Sequence, residues 1–160
     1  LQVEDDSENM RYCVGFQQIG AFQTIQAGDY QVTSLQAIHD PKEECLNYLI
    51  RDQEGKTLLY ANDTGYFPES TWQALEGCKL DGISLDCTLG KNPTMEAGHM
   101  GLYANRKVVE RLRSMGCIGD NTKIVLTHFS HNGGLLHEEL EEETKKDGFI
   151  IAYDGMILYI

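Results

Sequence analysis

The chain has 160 residues and a mass of 18.0 kDa, which suits one domain of ordinary size and excludes two full cores. Thirteen basic against twenty-five acidic side chains leave a net charge of −12, a field that repels polyanions and argues against nucleic acid as a partner. A small phosphate ester can bind such a surface only where a metal ion or a local donor cluster reverses the field.

Period-two alternation predicts strands over 12–16, 22–25, 30–38, 46–50 and 57–60. The 52–56 tract, with Glu54-Gly55, separates the last two as a hairpin turn, so the first third reads as an antiparallel meander. From Pro68 the rhythm changes to helix and strand in turn. Pro68 opens a short helix through Trp72, and 83–87 is a buried strand. The 101–115 stretch carries Leu102, Val108, Val109, Leu112 and Met115 at helical spacing and stops at Gly116. A second buried strand follows over 123–127. The 135–146 stretch is predicted helical, its acidic run 138–143 a solvated face and its Lys145 and Lys146 in the last turn, where the dipole favours cations. Asp154-Gly155 suits a type I′ turn and predicts a closing hairpin between 149–153 and 156–160.

A β-meander followed by β-α units builds a layered α/β domain, whose ligands bind beyond the strand ends. No apolar run approaches the roughly 18 residues of a membrane span, and no basic-then-apolar leader precedes the first strand. The five cysteines lack a C-x-x-C pair and read as buried thiols of a reducing compartment. A cytoplasmic protein with no membrane partner is the expectation.

Polar residues gather at the strand exits. The predicted 30–38 strand leads into His39, the 57–60 strand into Asn62-Asp63-Thr64-Gly65, and the 123–127 strand into His128-Phe129-Ser130-His131. Imidazole and carboxylate suit zinc, iron or manganese, and one aspartate can bridge two cations with its two oxygens. A histidine after a strand is also a common turn or core residue, and Asp63-Thr64-Gly65 also reads as a tight turn. Spacing alone leaves both readings open.

The runs Val32-Thr-Ser-Leu-Gln-Ala-Ile-His39, Asn47-Tyr48-Leu-Ile, Leu59-Tyr-Ala-Asn-Asp63-Thr-Gly65, Leu85-Asp-Cys-Thr88, Gly98-His99-Met100-Gly101 and Leu126-Thr-His128-Phe-Ser-His131 stand in a family order. Together they resemble the C-terminal part of the metallo-β-lactamase superfamily. Within it they are most similar to the phosphonate-pathway cyclic phosphodiesterases, which also carry a terminal Asp-Gly-Met like Asp154-Gly155-Met156. The resemblance implies an α/β fold, a metallo-β-lactamase-like αββα sandwich, of which 1–160 is the C-terminal part of a single domain. It implies two divalent ions (Zn, Mn or Fe), with His39 on one, His128 on the other and Asp63 bridging. His99 becomes the catalytic acid near the phosphate, since imidazole is the side chain that exchanges a proton near neutral pH. His131 and Thr64 take supporting places behind the ligands, His131 as such or in the core. Asp86 shapes the adjacent loop rather than binding metal, and His137 is a surface residue.

The superfamily's His-x-His-x-Asp-His motif, which supplies most of the ligands, is absent, and no histidine precedes His39. Three strand-end ligands leave two cations short of their usual four to six donors. Three explanations fit: a piece of a full enzyme, favoured by the start at Leu1 rather than Met; a split enzyme whose other half is a separate chain; or a noncatalytic binding module or subunit. Each predicts a bare sheet face that takes an N-terminal segment, a partner chain or a second copy as a homo-oligomer. The expected activity is that of a metal-dependent phosphodiesterase on a small or cyclic phosphate ester, with another ester or a lactone as the alternative substrate.

Overall fold

A computed structural model of the protein describes residues 17–95 and 98–160. The predicted strand over 12–16 lies outside the described residues. Seven strands form one sheet in chain order: β1 (Thr24–Ala27), β2 (Tyr30–Gln36), β3 (Leu46–Arg51), β4 (Thr57–Ala61), β5 (Gly82–Asp86), β6 (Lys123–Thr127) and β7 (Ile150–Ile151). β1 to β4 pair antiparallel, as the meander predicts, and β4 to β7 pair parallel. The parallel strands are joined through α1 (Glu69–Ala74), α2 (Leu102–Ser114) and α3 (His137–Thr144).

Each parallel connection steps one strand in the same direction. Right-handed crossovers then put all three helices on one face of the sheet. Burial follows this division. Leu59, Ile83, Leu85 and Leu126 are fully buried and share a core with Trp72 of α1, Val108 and Leu112 of α2 and Leu140 of α3. Their strand neighbours Leu58, Tyr60, Ser84 and Val125 point the other way and remain half-buried or exposed. On that second face lies a groove of about 450 Å³ whose lining includes Tyr30, Ile50, Leu58, Tyr60 and Val125.

The predicted closing hairpin does not form. β7 is two residues long, the chain turns with Met156 N–H donating to the Tyr153 carbonyl, and 156–160 joins no strand. The reason is steric opportunity on the second face. Gly82 has no side chain, and Ile160 fills the space, so that a Cβ there would lie 2.8 Å from Ile160 Cγ2. Ile160 stays 40% exposed, but its contact over Gly82 carries 156–160 across the sheet face instead of back alongside 149–153. The last helix is also shorter than predicted, beginning at His137 because Leu136 is its extended cap, with the Leu136 N–H donating to Glu139.

Candidate metal centre

β2 and β4 each run antiparallel to β3, so they point the same way, and β5 and β6 follow β4. Their carboxyl ends therefore share one edge of the sheet. His39 stands three residues beyond β2, Asp63 two beyond β4, Asp86 ends β5, and His128 directly follows β6. His99 arrives from the loop between β5 and α2.

Three imidazoles converge there on one carboxylate. Asp63 Oδ1 lies 3.4 Å from His39 Nδ1, 3.5 Å from His99 Nδ1 and 3.8 Å from His128 Nε2. The His39 and His99 rings meet edge-on with centroids 4.7 Å apart, and His99 stacks on His128 at 5.6 Å. All four side chains are partly open to solvent, with Asp63 about half exposed.

Backbone strain accompanies this convergence. Asp63 and His128 hold left-handed backbone, with φ of 60° and 58°, a conformation that disfavours residues with a Cβ. Hydrogen bonds hold the Asp63 turn in place. The Ile38 N–H donates to Thr64 Oγ1 at 3.2 Å and the Gly65 N–H to the Ile38 carbonyl at 2.6 Å, tying the Asp63 loop to the residue before His39. Thr64 is completely buried. Gly98 allows the third approach: its carbonyl accepts from His39 Nδ1 at 3.0 Å, and a Cβ at this position would lie 2.6 Å from the His39 carbonyl oxygen.

Asp86, fully buried, organises the other side. Its Oδ1 accepts from the backbone N–H of Thr88 at 2.9 Å and of Met100 at 3.1 Å, and its Oδ2 accepts from His99 Nδ1 at 2.8 Å. Its main-chain carbonyl accepts from Asn105 Nδ2 at 2.9 Å. Beside it, burial foremost and the Asp86 charge second push the Cys87 thiol up to about 12, which keeps it protonated and inert near neutral pH.

Asp63, Asp86, His99 and His128 each offer a ligand atom within 4.8 Å of the others. Nitrogen and carboxylate donors of this kind fit zinc, manganese or iron. Both Asp86 oxygens accept hydrogen bonds within the site, Oδ1 from two backbone N–H groups and Oδ2 from His99. These four residues could hold one ion and fall short of two complete shells; His39, 3.4 Å from Asp63 Oδ1, lies outside the group. His131 lies exposed at the start of a short 3₁₀ turn, and His137 opens α3 beside Glu141 and Tyr153; neither joins the cluster. Sequence reasoning missed the bond from His99 to Asp86 and the contact of Thr88 with His128; the usable signal was a carboxylate closing a buried apolar strand.

An imidazole–carboxylate cluster beyond the strand ends of a layered α/β sheet is one that could bind a metal ion. The chain belongs to the metallo-β-lactamase superfamily: the model of the beta-lactamase superfamily domain matches residues 5–129. Among solved structures, it is similar to the metallo-beta-lactamase fold protein YhfI from Bacillus subtilis at 26% identity and a TM-score of 0.62, covering 86% of this chain and 53% of that one. A possible metal-dependent hydrolase from Veillonella parvula matches at 11% identity and a TM-score of 0.60, covering 84% and 56%. An isothiocyanate hydrolase from Delia radicum gut bacteria matches at 14% identity and a TM-score of 0.60, covering 86% and 57%. The chain thus spans little more than half the length of these structures. No curated protein sequence matches it.

Proposed function

We propose that this chain carries the C-terminal share of a metal-dependent hydrolase that cleaves a small or cyclic phosphate ester, and that an N-terminal half supplies the remaining ligands. The observation that carries the reading is the convergence of His39, His99 and His128 on Asp63 Oδ1 within 3.8 Å. On so acidic a protein, a bound cation is what lets such a cluster meet a phosphate. The phosphodiester substrate rests on the motif order shared with the phosphonate-pathway cyclic phosphodiesterases, with Asp154-Gly155-Met156 at its end.

His39, Asp63 and His128 are assigned as ligands. They would hold a divalent ion, which would lower the pKa of bound water and neutralise charge on phosphate oxygens. The chain's own residues do the rest. Asp86 accepts from His99 Nδ1, which leaves Nε2 as the atom that delivers a proton to the leaving oxygen. The buried carboxylate also balances the imidazolium before that transfer. Thr64 holds the Asp63 and His39 loops in register.

The groove left open on the second sheet face among the described residues supports a covering layer, either the N-terminal half or a second copy, and a cytoplasmic setting accords with the unpaired Cys45, Cys78, Cys87 and Cys117. A compact monomer in sedimentation that leaves apolar dyes unbound contradicts the covering layer.

The test is metal analysis and turnover on the assembled protein. Bound manganese, iron or zinc, with faster hydrolysis of bis-para-nitrophenyl phosphate than of a thioester or lactone, is the expected result. Preference for the thioester or lactone reassigns the substrate. His99→Ala is expected to keep its metal and lose turnover by at least 10²-fold; equal loss of both makes His99 a ligand. Absence of metal from the assembled protein leaves a noncatalytic module.

A further inference from the structure

We propose that Thr88 is the residue that sets the tautomer of His128 and aims its Nε2 at the metal. This rests on the reading of His128 as a ligand.

The inference follows from counting protons on one hydroxyl. Thr88 Oγ1 lies 2.8 Å from the main-chain carbonyl oxygen of His128 and 2.7 Å from its ring Nδ1. A carbonyl oxygen can only accept, so the single hydroxyl proton of Thr88 goes to it. Towards Nδ1 the hydroxyl oxygen must then be the acceptor, and Nδ1 must carry the hydrogen. A neutral imidazole with hydrogen on Nδ1 has a free lone pair on Nε2. That is the nitrogen 3.8 Å from Asp63 Oδ1. Two electron-rich atoms face each other at a separation within twice a metal–donor distance of about 2.1 Å.

The surroundings hold this arrangement. The other group facing Nδ1 is Asp86 Oδ2 at 3.5 Å, too far for a good hydrogen bond but likewise only an acceptor. The Thr88 N–H donates to Asp86 Oδ1, so the carboxylate that orients His99 directly also places the hydroxyl that orients His128. The left-handed backbone of His128, φ 58°, accompanies the meeting of its ring and its carbonyl with the same hydroxyl. A threonine two residues after the strand-end aspartate is thereby a positioning residue for an imidazole forty positions away.

The experiment compares Thr88→Val, which keeps the shape and removes the hydroxyl, with Thr88→Ser, which keeps the hydroxyl. The first readout is the ring nitrogen spectrum of His128 in ¹⁵N-labelled, metal-free protein at a pH where the ring is neutral. The wild type is expected to show hydrogen on Nδ1, Thr88→Ser to match it, and Thr88→Val to show a mixture or the opposite tautomer. The second is affinity for zinc and cobalt, expected to fall about 10- to 100-fold in Thr88→Val and to return in Thr88→Ser. A wild-type His128 with hydrogen on Nε2 overturns the proposal, and that measurement needs no variant to fold. So does a folded Thr88→Val with the wild-type spectrum, or with wild-type affinity. If the wild type binds neither metal, the reading of His128 as a ligand fails, while the spectra still decide whether Thr88 sets the ring.

Discussion

Left-handed backbone occurs at both edges of the sheet, but different residues hold it. At the amino edge of β2, β4, β5 and β6, where the chain turns back into the sheet, the residues with positive φ are Gly28, Gly55, Gly77 and Gly116. At the carboxyl edge, where Phe22 and Gly90 also have positive φ, Asp63 and His128 adopt the same conformation in the turns that carry the candidate metal centre. A glycine would serve those two turns with less strain. Keeping a carboxylate and an imidazole there trades some stability for a fixed donor position. Burial differs in the same way. The carboxyl edge hides Asp86 completely, whereas Asp81 at the amino edge stays a third open and pairs with exposed Lys56 at 2.8 Å.

The largest break in this contrast is Asp86→Ala. It leaves two backbone N–H groups and one imidazole without the acceptor that a fully buried carboxylate supplies, and a loss of about 3 kcal/mol is expected from urea unfolding. A loss under about 1 kcal/mol would show that the carboxyl edge holds together without its buried carboxylate. Gly98→Ala comes next. The added Cβ meets backbone at the His39 carbonyl, 2.6 Å away, and backbone cannot swing aside as a side chain does. A loss of about 1–3 kcal/mol, with weaker metal binding because the Gly98 carbonyl no longer meets His39 Nδ1, is expected.

Much of this edge is legible in the sequence. His39, Asp63 and His128 stand within a few residues of strands that alternation and apolar runs make plain, so their shared edge follows from strand direction alone. The pairing of Asp86 with His99 is not legible, because thirteen positions of loop and turn separate them and the contact depends on where that loop passes. Thr88 is hidden for the same reason, its partner lying across a full β-α-β unit. The closing hairpin fails because Asp154-Gly155 specifies a turn but not the surface that the next residues meet. Ile160 occupies the space above Gly82, a long-range packing choice that local turn chemistry does not encode.

A paired substitution sharpens the comparison of the two edges. Asp63→Gly relieves left-handed strain and is expected to raise stability by up to about 1 kcal/mol while weakening metal binding at least tenfold. Gly77→Ala, at φ 77° with nothing within 4 Å of its new Cβ, introduces strain alone and is expected to lower stability by about 1 kcal/mol. Opposite signs at the two edges, read from chemical unfolding, support a functional origin for the strain at Asp63. A drop in both would mean that the Asp63 side chain stabilises its own turn.

The smallest expected effect lies at the amino edge and depends on pH. The hydrogen bond from Lys56 foremost, and that from the Thr57 N–H second, hold the Asp81 carboxyl below its usual range. A carboxyl with a lower pKa in the folded state binds its proton less readily there than in the unfolded chain. It therefore contributes its stability in full above the ordinary carboxylate range and loses it as pH falls through the folded value. Lys56, raised by the same pair, keeps its contribution until pH climbs past the ordinary lysine range. Because both partners are largely solvated, Asp81→Asn is expected to cause only a slight loss at neutral pH. That loss is expected to vanish in acid, where wild type and variant both carry a neutral side chain. Unfolding curves at pH 7 and below pH 3 check it. A gap that persists in acid would assign the difference to the shape of the 79–82 turn instead of to the charge on Asp81.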